Sequence, residues 1–337
     1  LDVVFDRGIH LPEMGLWLDA LRKQDTSVIS HAHSDHTARH RRPVLTPGTR
    51  LLLGDYLKRS EPVELEFGET LDLPGCAITL YPAGHCLGSA QTLVESKVTG
   101  ERLLYTGDLR VQPSPINEAH QQVPCDVLVI ESTYGRPDYV FPPQEDAVGT
   151  AIRVVAQWLD QGAVPVVMGW RLGKAQEALY HLLRAGFRVA CEEGVYEIAQ
   201  RYEEAGVDFP GEYRACDGQF REGEALLFPP GKKSREAVHT ITPERRPVRY
   251  LELTGWAAGA GVKPWGRGRP GDASLPYSDH ADFNDLVAYV EAVAPRQVYT
   301  VFGFPDLADH LRRKGYSAIH LGKNATEADR AFQMPLL

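Results

Sequence analysis

No apolar run in this chain approaches the ~18–20 residues that a membrane-crossing helix needs, and no signal-peptide pattern opens it. Those absences point to a soluble, cytoplasmic protein with no membrane partner. Cysteine is scarce: Cys76, Cys86, Cys125, Cys191 and Cys216 are scattered, odd in number and without CxxC spacing. They read as reduced thiols in an intracellular protein, which excludes a disulfide frame. An excess of positive charge is missing too, since 36 Lys+Arg against 45 Asp+Glu give a net charge of −9. A protein that coats nucleic acid by bulk charge is thereby disfavoured. Neither a repeat of fixed period nor a low-complexity tract is visible.

What is present is a chain of 337 residues, 43% hydrophobic and 24% charged, enough to bury a sizeable core in one large or two modest domains. Its charge is uneven. Residues 229–269 carry nine Lys/Arg, among them Lys232, Lys233, Arg235, Lys263, Arg267 and Arg269, against Glu236, Glu244 and Glu252. A local basic surface on an acidic body suits a polyanion held at one place, and equally an ordinary solvated face.

The first 135 residues read as short strands closed by Gly, Pro or Asp: Leu16–Leu18, Ser27–Ser30, Val63–Phe67, Ala77–Tyr81, Ala90–Val94, Arg102–Thr106 and Asp126–Ile130. One helix is expected near Pro47–Lys58. After Pro142 and Pro143 the texture changes, with Val148, Ala151, Ile152, Val155, Trp158 and Leu159 on one helical face. A strand at Val164–Met168, a helix over Lys174–Arg184, a strand at Phe187–Ala190 and a helix at Val195–Ala205 follow. This alternation predicts a small parallel α/β layer. A Gly-rich stretch, Gly255–Gly271, closes the segment, and Val298–Phe302 and Leu307–Lys314 read as strand and helix. The expected organisation is a β-rich body at 1–142 and 261–337, interrupted by an α/β domain at 143–260.

The strongest chemical signal is His31-Ala-His33-Ser-Asp35-His36, delivered directly by a strand end. At this histidine content such a cluster arises by chance about once in a thousand chains. Neutral imidazoles and carboxylates are good ligands for Zn²⁺ and tolerable ones for Mn²⁺, and this spacing can feed two neighbouring ions. Two later strand ends supply His85, in Pro82-Ala-Gly-His85, and Asp108, in Tyr105-Thr-Gly-Asp108. His85 offers a third imidazole, and the Asp108 carboxylate is short enough to bridge two ions. Asp19, ending Leu16-Trp-Leu-Asp19, could orient a ligand histidine from behind or serve as a turn residue.

These residues resemble, in order, the HxHxDH, His and Asp motifs of the metallo-β-lactamase superfamily, and Asp19 falls at its first motif. Ala83–Ala90, Tyr105–Arg110, Ile130-Glu131-Ser-Thr-Tyr-Gly135 and Pro276-Tyr-Ser-Asp-His280-Ala-Asp-Phe283 are similar to its β-CASP nuclease branch. The matches run from about residue 16 to 303. The resemblance implies a four-layer αββα body with an inserted α/β β-CASP domain forming a lid over the metal site. It also implies metal ligation by His31, His33, Asp35, His36, His85 and Asp108, and hydrolysis of DNA or RNA. Asp35, Glu131 and His280 become the catalytic candidates. His280 would contact the scissile phosphate or protonate the leaving oxygen, with Glu131 holding its ring.

One departure is informative. Many β-CASP ribonucleases place a second-ion histidine in the strand after the motif containing His280, where this chain has Phe302. Artemis-related DNA enzymes also lack a ligand there, so Phe302 tilts the reading toward DNA and toward one or two ions with a weaker second site. His310, in the following helix, could substitute or simply face solvent. The overall similarity is to bacterial DNA-ligase-associated exonucleases, implying a repair exonuclease that acts on DNA ends or single strands beside a ligase or helicase. An RNA-processing nuclease and an inactive scaffold homologue are the alternatives, the latter opposed by six retained ligands. A small-ester hydrolase such as a lactonase is opposed by the insertion. Arg171, Lys174, Lys232, Lys233 and Arg235 are candidate phosphate contacts, the last three on a loop after Pro229-Pro-Gly, although a solvated surface cation accounts for any one of them. Tyr134, Tyr139, Trp170, Trp256 and Trp265 could stack bases or pack.

Overall fold

Strands with a clean inside–outside alternation come first in the chain. In Ile9–Leu11 and Leu16–Leu18 the outer residues of each triplet are buried, while His10 and Trp17 face away and stack with ring centroids 4.2 Å apart. The computed structural model describes residues 1–259, 271–322 and 329. It divides into two compact units. The first holds residues 1–113, 117–137 and the described part of 280–337, and the second holds Ser114–Ile116 and Asp138–Asp279.

In the first unit, Val4–Phe5, Ile9–Leu11, Leu16–Leu18, Thr26–Val28, Arg42–Leu45 and Val63–Glu64 form a six-stranded sheet in that order. A seven-stranded sheet runs in the order Ala318–His320, Gln297–Val301, Val127–Glu131, Arg102–Tyr105, Ala90–Ser96, Cys76–Pro82 and Thr70–Leu73. Its first four strands pair in parallel and the rest antiparallel. Residues of both sheets share one core, including Leu16, Leu18, Val28, Ile78, Leu103, Tyr105 and Val129.

The strand Val127–Glu131 is buried along its whole length because its two faces meet different cores. Val127 and Val129 point between the sheets, whereas Leu128 and Ile130 pack against the helices Phe283–Val293 and Asp306–Arg313. On the far side of the six-stranded sheet, Ile29 and Leu45 pack under Leu53, Tyr56 and Leu57. The layers are therefore helix, sheet, sheet, helix, the αββα arrangement. The helix expected over Pro47–Lys58 ends at Leu53 and continues as one tighter turn, Gly54–Leu57.

The second unit carries six strands paired only in parallel, in the order Tyr213–Ala215, Arg188–Cys191, Glu224–Phe228, Val164–Met168, Val248–Leu253 and Ala273–Leu275. Its central strands are continuous buried runs, as a sheet covered on both faces requires. This unit extends past the expected boundary at 260, because Ala273–Leu275 pairs with Leu251–Leu253 and becomes its edge strand. It also begins before 143, where the Tyr139 ring meets Trp256 edge-on at 5.3 Å. Among the described residues, no helix is long and apolar enough to cross a membrane. The five cysteines are free, with Cys76, Cys86 and Cys191 buried.

Candidate metal centre

Each ligand candidate sits just beyond a strand of the first unit, where backbone pairing has stopped and side chains converge. Thr26–Val28 leads into His31, Cys76–Pro82 into His85 and Arg102–Tyr105 into Asp108, while Glu131 ends its own strand. Gly107 has φ 56°, and a Cβ there would stand 2.8 Å from Ser30 Cβ. Only glycine lets the Asp108 loop lie this close to the turn that carries His31. An isolated antiparallel bridge between Gly84 and Leu109 ties the His85 loop to the Asp108 loop.

The donor atoms meet. His33 Nδ1 lies 3.0 Å from His31 Nε2 and 3.1 Å from His85 Nε2. Asp108 Oδ2 lies 3.4 Å from His31 Nε2 and 3.7 Å from His85 Nε2. Ligands ~2.0–2.1 Å from a tetrahedral ion stand roughly 3.3 Å apart along each edge. The four separations bracket that value, so these residues fit a divalent ion such as Zn²⁺. Asp108 Oδ1 faces the other way, 3.4 Å from His36 Nε2, which places Asp108 between two positions.

Behind these donors lies a buried carboxylate. Asp19 ends its strand with φ 49°, a left-handed turn that Asp tolerates. Its Oδ1 accepts from Ser30 N at 2.7 Å. Its Oδ2 accepts from Ser30 Oγ, from His36 Nδ1 at 2.8 Å and from Tyr105 Oη at 2.7 Å. Ser30 Oγ also stands 2.9 Å from His31 Nδ1. Sequence reasoning found Asp19 but missed Ser30 and Tyr105. Their only signal is adjacency to the motifs, one residue before His31 and three before Asp108.

The electrostatics separate His31 from His36. His31 is held well below the usual imidazole range, first by burial and then by the neighbouring rings of His36, His33, His85 and His280. Burial also opposes charge on His36, but Asp108, Asp19 and Asp35 outweigh it and lift His36 to about 10. Asp108 is raised to about 6, mainly by burial, with His36 and His280 pulling it back. Tyr105 is pushed well up by burial and then by Asp19, so its phenol stays a donor.

His280 and Glu131 form a second arrangement beside the first. Glu131 is fully buried, and its carboxylate accepts from His280 Nδ1 at 3.1 Å and from Leu109 N at 2.6 Å. His280 Nε2 then looks toward Asp108 Oδ2, 4.0 Å away. Leu109 O accepts from Ala281 N, so one residue of the Asp108 loop holds both partners in register.

Not every candidate joins the centre. Asp35 is exposed and belongs to none of the groups of three or more donors that converge within 4.8 Å among the described residues, although its charge acts on His36 and Asp108. Phe302 has φ 56° and sets its ring 5.2 Å from that of His36. His310, on the helix Asp306–Arg313, packs edge-on against Phe283 of the helix Phe283–Val293 and belongs to none of the converging donor groups among the described residues.

Lys174 is buried, with Nζ 3.0 Å from Asp279 of the same unit. Arg171 is half-exposed and paired with Glu192 at 2.9 Å. Lys232, Lys233 and Arg235 do not lie on a loop: they open the helix Lys232–Ile241, because the loop ends at Gly231. Lys232 is highly exposed, whereas Arg235 stacks over the Tyr250 ring at 4.0 Å. Tyr134 and Tyr139 are buried and pack, Trp256 packs on Tyr139, and Trp170 is half-exposed. Trp265, Lys263, Arg267 and Arg269 lie outside the described residues.

Comparison with known proteins agrees with this geometry. A family model described as "Zn-dependent metallo-hydrolase RNA specificity domain" matches residues 273–325. Over 327 residues the chain is 38% identical to a "Probable DNA ligase" of Opitutus terrae, covering 96% of this chain and 31% of that protein. It is 28% identical over 321 residues to "5' exonuclease Apollo" of Rattus norvegicus, covering 87% of this chain and 54% of the relative. The chain thus spans about a third to a half of these two curated relatives. A solved structure of a protein of unknown function from Enterococcus faecalis shares the fold, with a TM-score of 0.59 at 15% identity, covering 89% of this chain and 80% of that one. With its αββα body, its ordered His and Asp strand ends and these relatives, the chain belongs to the metallo-β-lactamase superfamily, in its β-CASP branch.

Proposed function

We propose that this chain is a divalent-metal-dependent phosphodiesterase that trims DNA from its ends, an exonuclease of repair. The observation that carries the reading is the convergence of His31, His33, His85 and Asp108 with the Glu131–His280 pair alongside. His31, His33, His85 and Asp108 would hold one Zn²⁺ or Mn²⁺ ion tightly. Asp108, His36 and Asp35 would hold a second more weakly, with the Phe302 ring beside His36. An ion bound there lowers the pKa of water and neutralises phosphate oxygens.

The chain's own residues supply the rest. Glu131 accepts from His280 Nδ1, so Nδ1 carries the proton and Nε2 faces the reacting group. A protonated ring there, with Glu131 at Nδ1, would offer its Nε2–H to a phosphate oxygen or to the leaving oxygen. Asp35, at the exposed edge, would meet the second ion or the incoming water.

Two considerations favour DNA. By the resemblance, Phe302 stands where many ribonucleases of this family carry a ligand. One relative is named an exonuclease and another a DNA ligase, of which this chain matches less than a third. The last of these supports a role next to strand joining, with a ligase as a partner. Lys232 and Lys233 on the second unit would hold the backbone by charge. RNA cleavage is the second reading, favoured by the description of the family model that matches residues 273–325.

End-labelled DNA and RNA strands of matched sequence, digested with Zn²⁺ or Mn²⁺, test both readings. The expected result is shortening of DNA by the wild type and no cleavage by Asp35→Ala or His280→Ala with the fold retained. Unchanged cleavage by Asp35→Ala would remove the mechanism, and ribose-dependent cleavage would favour RNA.

A further inference from the structure

Tyr105 is wholly buried within the core between the two sheets, among Leu16, Leu18, Ile78 and Leu103. A phenol placed there needs a partner for its hydroxyl. Among the described residues that partner is Asp19 Oδ2, at 2.7 Å. An ionised carboxylate offers about four acceptor positions, two on each oxygen. Ser30 N takes one on Oδ1, while Ser30 Oγ, His36 Nδ1 and Tyr105 Oη converge on Oδ2.

That convergence has two effects on the ligands. Ser30 Oγ gives its proton to Asp19 and is left to accept from His31 Nδ1, so His31 Nε2 keeps its lone pair toward His33 and Asp108. His36 gives its Nδ1 proton to the same carboxylate, so its Nε2 faces Asp108. One carboxylate thus sets the tautomers of ligands on both sides of Asp108. Asp19, His31 and His36 also make a convergent donor group of their own, with donor atoms within 4.8 Å of one another.

We propose that Tyr105 is a positioning residue of the metal centre: its hydroxyl, one of three donors on Asp19 Oδ2, anchors that carboxylate so that it orients His31 through Ser30 and His36 directly. The inference rests on the metal-binding reading above and adds to it a residue that touches neither ion nor substrate. Removing a group that orients metal ligands lowers metal affinity by ~10–100-fold, and Tyr105, one bond further back, falls near the lower figure.

The test is Co²⁺ titration followed by the d–d spectrum, on wild type, Tyr105→Phe and Tyr289→Phe. Tyr289 is a control that also loses a buried hydroxyl, bonded to Gln91 outside the centre. The expected result is about tenfold weaker Co²⁺ binding and an altered spectrum in Tyr105→Phe alone. Wild-type affinity and spectrum in Tyr105→Phe would overturn the inference, as would an equal loss in Tyr289→Phe. Should Tyr105→Phe fail to unfold cooperatively, Ser30→Ala carries the test, because it breaks the link to His31 at the other end. Unchanged Co²⁺ binding there would equally overturn it. A wild type that binds no Co²⁺ would instead sink the metal reading itself.

Discussion

Replacing Glu131 by Gln isolates the His280 arrangement from the ion. In the native chain Glu131 Oε1 accepts from Leu109 N at 2.6 Å, and the carboxylate accepts from His280 Nδ1 at 3.1 Å. A Gln carbonyl at the Oε1 position can keep both bonds, but its NH₂ then replaces Oε2, 3.2 Å from the same Nδ1, and the charge on the acceptor is lost. A hydrogen bond to a charged group contributes ~1.5–3 kcal/mol. If that interaction is fully expressed in the transition state, the loss in kcat/KM is roughly 10- to 160-fold. Steady-state digestion of a labelled strand, with metal content measured on the same samples, reads rate and occupancy together. A wild-type rate in Glu131→Gln would refute the proposed role of His280. Loss of metal in step with rate would refute it differently, by placing Glu131 among the ion's holders, since Asp108, Glu131 and His280 also converge within 4.8 Å.

Phe302→His should raise the second ion's occupancy, since the ring stands 5.2 Å from His36 and histidine tolerates φ 56° better than phenylalanine does; unchanged metal stoichiometry would count against Phe302 as the limit on that site. Metal affinity should rise with pH, because filling the centre expels protons from His36, at about 10, and Asp108, at about 6. Competition titrations should give a slope near tenfold per pH unit between pH 6 and 8, steepening below 6, and a flat profile would contradict ligation by His36. Gly303→Ala would place a Cβ 1.8 Å from Ser132 O, beside Glu131, so the loss should exceed about 4 kcal/mol in urea unfolding. A near-native midpoint would show that this backbone approach relaxes easily.

Much of the fold was legible because its signals are local. The bounds of Leu16–Leu18, Val164–Met168 and Lys174–Arg184 follow from alternation, an unbroken apolar run and helical spacing, all contained within the segment itself. His31, His33, His85 and Asp108 were legible because imidazoles and carboxylates directly after strands are otherwise hard to explain. What escaped depends on partners distant in the chain. Tyr105 looks like an ordinary strand former until Asp19 is found 86 residues away at its hydroxyl. The charge on Lys174 reads as available until Asp279, 105 positions on, is seen beside it. Ala273–Leu275 is only three residues long, and pairing with Val248–Leu253 alone reveals it as the edge of the second unit's sheet. The helix that starts at Lys232 was hidden because Pro229-Pro-Gly signals a loop without saying where it stops.

His280 comes after the whole second unit in chain order, and Gln297–Val301 must still arrive to cover the open side of Val127–Glu131. During synthesis, the four convergent donors and Glu131 leave the ribosome long before the histidine that completes the pair. A polypeptide that stops short of residue 280 therefore carries His31, His33, His85, Asp108 and Glu131 without the ring whose Nδ1 that last carboxylate receives.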